Sequence, residues 1–239
     1  MRKSDQKNEL WFAPAWIAAY VVGASIADTL SRTVGIEKIV TFPLLFVMSV
    51  VLLAWMKRND LFQTFGLCKG SIPLSKLLWY LPLAALVSVN LWFGLRWNLS
   101  VYETLLYIGS MICVGFLEEV IFRGLLFNAM RKDGLQSAVI VSSVTFGMGH
   151  IVNLFNGSGA KLVSNLCQVG YAIAIGFLFV VLFLKTGSLV SCIVTHGAFN
   201  SLSVFVNEGN ISVSMEIFSA IAIVVITLSY AVYLLKKVP

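Results

Sequence analysis

Two adjacent glutamates, Glu118 and Glu119, stand just ahead of Arg123 in a stretch, GFLEEVIFRG, that is otherwise apolar. In hydrocarbon each such charge costs roughly 2.5–3.5 kcal/mol, so the three oppose insertion by something on the order of 8–10 kcal/mol before any pairing. Charges kept at that cost mark proton pathways, ion pathways or catalysis. The chain has only two histidines, His150 and His196, and both fall in apolar runs. Phe146 precedes the first by four positions, and Asn200 follows the second by four. That spacing stacks side chains on one helix face. Glu119 and Arg123 can therefore pair, which keeps Glu119 ionised and oriented. Glu118 is turned about 100° round the helix and can face something else. Three helices thus each carry a polar stripe, and the stripes can converge. Gly147, Gly149 and Gly197 flank the histidines. Small residues there permit close helix approach, or leave room for a substrate backbone. Glu118, His150 and His196 also form a donor set that zinc accepts. The contiguous HExxH helix pattern of zinc peptidases is missing, however, and metal-assisted and metal-free chemistry both stay open.

The elements that must position these groups are membrane spans. Of 239 residues, 59% are hydrophobic and 12% charged, with a mean hydropathy of +0.90. Soluble domains carry about a quarter charged residues. The composition predicts an all-α, polytopic integral membrane protein, a single transmembrane domain over residues 1–239. Eight apolar runs can be drawn, at 11–30, 36–56, 77–95, 103–130, 135–155, 162–184, 189–206 and 212–235. Runs of about 20 residues cross about 30 Å of hydrocarbon. The four runs between 103 and 206 hold every chemically suggestive residue named above. Pro82 is expected to bend or end a turn of the third run. The first run lacks a small-residue cleavage site and reads as a retained helix rather than a signal peptide.

The net charge of +6 does not point to nucleic acid, because the basic residues lie in short clusters between apolar runs. With the N-terminus inside, twelve lysines and arginines fall on the inner side and four on the outer, Arg123 being intramembrane. The asymmetry places both termini in the cytoplasm, and the expected partner is the lipid bilayer. Counting 1.5 Å per residue from the inner edge puts the glutamates at about 17 Å, His150 at about 22 Å, His196 at about 10 Å and Asn200 at about 16 Å. They can share a layer in the middle-to-cytoplasmic part of the membrane. Asp28 reads as interfacial or helix-packing, and Trp11, Trp16, Trp55, Trp79, Trp92 and Trp97 as an aromatic belt near helix ends. Cys68, Cys113, Cys167 and Cys192 show no CxxC pairing and read as small hydrophobes.

The segments EEVIFRG, FGMGH and HGAFN match, in order, the motifs EExxxR, FxxxH and HxxxN. From Gly109 to Ser201 the chain resembles the CPBP family, which comprises the CAAX proteases and the bacteriocin-processing (Abi) proteins. There is no departure at the motif positions, and the match uses both histidines of the chain. The resemblance implies a glutamate-dependent intramembrane endopeptidase. It implies Glu118 as the base that activates water, with His150 holding or polarising that water. Glu119, fixed by Arg123, would support the site, and His196 and Asn200 would hold the tetrahedral oxyanion. An amide and an imidazole N–H are competent donors for that task. Family members are often labelled metalloproteases, so a zinc ion on Glu118, His150 and His196 is the alternative cofactor. The implied substrate is a peptide or membrane protein cut near the cytoplasmic side of a bacterial plasma membrane, in the class of leader peptides, bacteriocins or quorum-sensing peptides. Two other classes compete. Intramembrane Glu, Arg and His also build the relays of proton-coupled transporters, although the first half of the chain lacks a partner set. A non-catalytic immunity or scaffold protein could keep the same motifs. Nothing in the pattern marks an oligomeric interface.

Overall fold

The computed structural model describes residues 3–71 and 80–237, with side chains from residue 11 onward. Among these residues the secondary structure is helical, apart from an isolated bridge between Leu95 and Val206. The helices are α1 (Lys3–Val34), α2 (Thr41–Arg58), α3 (Leu81–Ser88), α4 (Val101–Met130), α5 (Leu135–Leu154), α6 (Leu162–Thr186), α7 (Val190–Leu202) and α8 (Val213–Lys237). Each expected apolar run holds a helix, and the protein is an all-α, multi-pass membrane protein. The expected count of eight full spans is corrected, however: among the described residues 6 helices are long and apolar enough to cross a membrane. The remaining two, Leu81–Leu91 and Val190–Phe205, fall in the 10–17 residue range. At 1.5 Å per residue such helices stop short of about 30 Å of hydrocarbon.

Local chemistry sets the helix ends. Pro82 stands in the first turn of α3 rather than bending a helix interior. There its missing N–H removes no hydrogen bond. Pro73, Lys76, Leu77 and Trp79 lie outside the described residues, as do Arg2, Val238 and Pro239. α4 opens with a capping box: the Ser100 hydroxyl accepts the Glu103 N–H, and the Glu103 carboxylate accepts the Ser100 N–H. Two donors left over at the helix start are thereby satisfied.

α4 is the element against which the others are arranged. α2 and α7 pack along it, while α1 and α5 pack against its second half. α6 is clasped between α5 and α8. From Val120 to Phe127 α4 widens into a π-helix whose residues are all buried. Such i→i+5 stretches gather at functional sites, and this one begins immediately after Glu119. The Ser142 hydroxyl of α5 donates to the Phe122 carbonyl at 2.9 Å and stitches the widened turn to its neighbour. An apolar cluster of Leu45, Leu52, Met56, Leu117, Val120 and Ile121 surrounds the charged stretch. Trp11, Trp92 and Trp97 are exposed, as a belt requires. Trp16 and Trp55 instead pack against that cluster, with Trp55 4.8 Å from the Phe12 ring. The four cysteines are free, Cys113 and Cys192 being buried.

Candidate active site

Glu119 and Arg123 are both 0% exposed, and Glu118 is 8% exposed. Buried charges survive only when paired and hydrogen-bonded, so each group must have its partners. Arg123 Nη1 donates to Glu119 Oε1 at 3.1 Å, and Nη2 donates to the Gly176 carbonyl of α6 at 3.2 Å. Its guanidinium also lies over Phe146, 4.2 Å from the ring centre, and 5.6 Å from that of Phe179. The same Glu119 oxygen meets His196 Nδ1 at 2.8 Å. The other nitrogen of that imidazole, Nε2, is 3.5 Å from Glu118 Oε2. Glu118 Oε1 accepts a hydrogen bond from the Tyr20 hydroxyl at 2.6 Å. The result is a continuous chain, Tyr20–Glu118–His196–Glu119–Arg123, built from α1, α4 and α7. Among the described residues, Glu118 Oε2, Glu119 Oε2 and Arg123 Nε are buried without a hydrogen-bond partner.

Glycine brings the helices close enough for this. A Cβ on Gly115 of α4 would lie 2.6 Å from the Gly197 nitrogen of α7. No side chain fits there, and the two backbones touch one residue beyond His196. Gly147 does the same between α5 and α6, where a Cβ would come within 2.7 Å of the Ile173 nitrogen. Gly149 is different: nothing lies within 4 Å of the place its Cβ would take. The two meanings expected of these glycines, close approach and free space, fall to different residues.

His150 is half-buried and lines two cavities. One, of about 180 Å³, also reaches Glu118, Tyr20 and Gly149. The other, of about 40 Å³, reaches His196, Asn200 and Tyr171, room for about one water. Phe146 borders both, with its ring edge-on to His150 at 5.7 Å and to His196 at 5.6 Å. Glu118, Glu119, Arg123 and His196 are therefore in direct contact. His150 and Asn200 reach the group through shared cavities, without side-chain hydrogen bonds to the glutamates among the described residues. Among those residues, too, no three His, Cys, Asp or Glu side chains converge to hold a metal ion.

Sequence reasoning missed Tyr20. A tyrosine in the middle of the first apolar run was its one signal, a hydroxyl at membrane depth that needs an acceptor. Asp28, expected at an interface, accepts from Lys38 Nζ at 2.8 Å and from the Thr41 hydroxyl, and it lines the Glu118 cavity.

A buried chain of acids, an imidazole and a guanidinium thus lies beside a polar cavity inside a multi-pass helical membrane protein. Residues 100–202 match the family described as "Type II CAAX prenyl endopeptidase Rce1-like". Over that segment the chain is similar to the CAAX protease family, and the likeness read from the three motifs is borne out. Comparison with curated proteins and with solved structures gives no match.

Proposed function

We propose that the protein is an intramembrane endopeptidase that hydrolyses a peptide bond with a water activated by Glu118 and with no metal ion. Glu118 takes a proton from a water in the cavity it shares with His150, and the water oxygen bonds to the substrate carbonyl carbon. The negative charge that develops on the carbonyl oxygen is met by N–H donors, the Asn200 amide and an imidazole. Donors preset for such an oxyanion are the largest single aid to acyl transfer in many enzymes. The tetrahedral species then breaks its C–N bond, and the amine leaves with the proton held by Glu118. One water is consumed, and one acid and one amine are formed.

With Nδ1 committed to Glu119, His196 keeps Nε2, 3.5 Å from Glu118 Oε2, as the imidazole nitrogen that meets the oxyanion, and the proton stays on Glu118 until the amine takes it. Glu119 and Arg123 hold the imidazole in place, and Tyr20 holds Glu118. The observation that carries the reading is the contact of His196 with both glutamates, of which Glu118 lines a polar cavity together with His150. Substrates are peptides or membrane proteins, and bacterial leader or bacteriocin-type peptides are the class the family association favours.

The test compares peptidomes of cells carrying the wild-type chain with those carrying Glu118→Gln, which keeps shape and removes the base. Fragments made by the wild type should be absent from the variant. Equal cleavage at equal expression would refute a glutamate base.

A further inference from the structure

We propose that a basic, aromatic-walled cavity at one end of the helices, apart from the glutamates, binds an anionic phospholipid of the surrounding bilayer. Its volume is about 1110 Å³, more than the roughly 300–1,000 Å³ of pockets that take drug-sized ligands. It lies where α1 begins and where α2, α4 and α6 end, with Phe12, Trp55, Asn128 and Leu184 contributed by those four helices. Thr64 and Phe65, from the segment after α2, complete the wall. Two chemistries meet there. Trp55, Phe65, Leu125 and Phe183 are apolar, and the last three are buried. Arg131 and Lys132 are exposed at the rim, where the Arg131 guanidinium donates to Asn128 Oδ1 at 3.3 Å. Among the described residues no carboxylate lines the cavity; Asp60 and Asp133 follow Asn59 and Lys132 in the chain but stand outside its wall.

An amphiphile fits this division, and a soluble anion would use the rim alone. Trp55 and Leu125 stand three and five residues before the ends of α2 and α4, at Arg58 and Met130. That is about 5–8 Å below the helix ends at 1.5 Å per residue, the depth at which headgroups give way to acyl chains. A phosphate held by Arg131 and Lys132 therefore leaves its chains level with Trp55, Phe65, Leu125 and Phe183. Basic pockets between transmembrane helices take anionic headgroups in this way. The helix ends alone would repel an anion, since each C-terminus carries about half a negative charge. Lys57, Arg58 and Lys185 in the last turns, with Arg131 and Lys132 just past α4, outweigh them with full charges. One wall is the widened turn of α4: Gly124 and Leu125 follow Arg123 directly, and a Cβ on Gly124 would lie 3.2 Å from the Phe65 ring. A bound chain thus packs on the stretch that carries Arg123, while the glutamates stay outside the cavity wall.

The experiment places the full chain in nanodiscs of phosphatidylcholine with a minor share of phosphatidylglycerol bearing the same acyl chains. Lipid that stays bound on release is identified by native mass spectrometry. The wild type should retain phosphatidylglycerol in preference to phosphatidylcholine. A basic side chain at an anionic surface contributes about five-fold in affinity, so Arg131→Gln with Lys132→Gln should lose about twenty- to thirty-fold. Thr64→Trp fills the cavity from an exposed lining position with both charges intact, and should also release the lipid. Lys236→Gln with Lys237→Gln removes two exposed charges at the end of α8, outside the cavity, and should change nothing. No preference for the anionic lipid, or equal loss in the Lys236 and Lys237 variant, would overturn the proposal in favour of diffuse attraction. So would retention by Thr64→Trp, or displacement of the lipid by glycerol 3-phosphate, which has the phosphate but no chain. Cleavage is not measured, so the lipid site and the glutamate mechanism can fail separately.

Discussion

Removing the Arg123 guanidinium should damage the protein more than removing it together with the charge it neutralises. In Arg123→Met the side chain keeps its length, but Glu119 loses its cation and the Gly176 carbonyl loses a donor. The Glu119 carboxylate is then left 0% exposed, with His196 as its remaining hydrogen-bond partner among the described residues. Orphaning one member of a buried pair costs about 3–5 kcal/mol, and the stacking over Phe146 and Phe179 adds up to about 2 kcal/mol when desolvated. Against a total stability of about 5–15 kcal/mol, that brings the variant near the edge of folding. In the double variant Arg123→Met, Glu119→Gln, no charge is stranded and the amide still meets His196. Its destabilisation should be smaller than that of Arg123→Met by about 2–3 kcal/mol, the upper range of coupling for contacting residues. Equilibrium unfolding in mixed micelles measures both. A single variant within about 1 kcal/mol of wild type, or a double variant no more stable than the single, would show that the pair is not the buried unit described.

Tyr20→Phe removes a hydrogen bond to a carboxylate of the kind worth about 1.5–3 kcal/mol. Hydrolysis should slow by about ten-fold or more with little change in KM, since the hydroxyl touches the base; an unchanged rate would remove Tyr20 from the site. Gly115→Ala drives a methyl to 2.6 Å from the Gly197 nitrogen, whereas Gly149→Ala enters open space. The first should cost about 1–3 kcal/mol of stability together with activity, the second little stability, and equal thermal shifts would contradict the close contact of α4 and α7. Exhaustive treatment with a strong chelator should leave cleavage intact. Activity lost to the chelator and restored by zinc alone would replace the metal-free mechanism.

Much of this was legible because a membrane makes the pattern stark. Hydrocarbon punishes every charge, so Glu118, Glu119 and Arg123 announce themselves, and the four-residue spacing already gives the Glu119–Arg123 pair that the structure contains. The histidines stand out for the same reason. What stayed hidden were distances set by packing between helices. Spacing along α7 says that His196 and Asn200 share a face, yet the imidazole contacts the glutamates while the amide opens on a cavity beside them. Span count failed differently. The hydropathy of α3 and α7 is that of a span, but length decides crossing, and a run of apolar residues does not show where its helix stops. The π-helical stretch of α4 has no signature in residue type, because the same residues would form an ordinary α-helix elsewhere.

The family likeness covers residues 100–202, and within it lie both glutamates, the arginine, both histidines and Asn200. The site is not complete within that segment. The donor that holds Glu118 comes from α1, and Asp28, Lys38 and Thr41, which line the cavity with it, come from α1, the turn after it and the start of α2. The division has a physical basis. Hydrolysis needs acids, bases and N–H donors at fixed spacing, so those positions are constrained by chemistry wherever the reaction is run. The wall that faces the entering chain is constrained by what that chain is. Differences in substrate between members of such a family should therefore be carried by α1 and the turn that follows it. Exchanging residues 20–41 between two members should move specificity while leaving the dependence on Glu118 untouched.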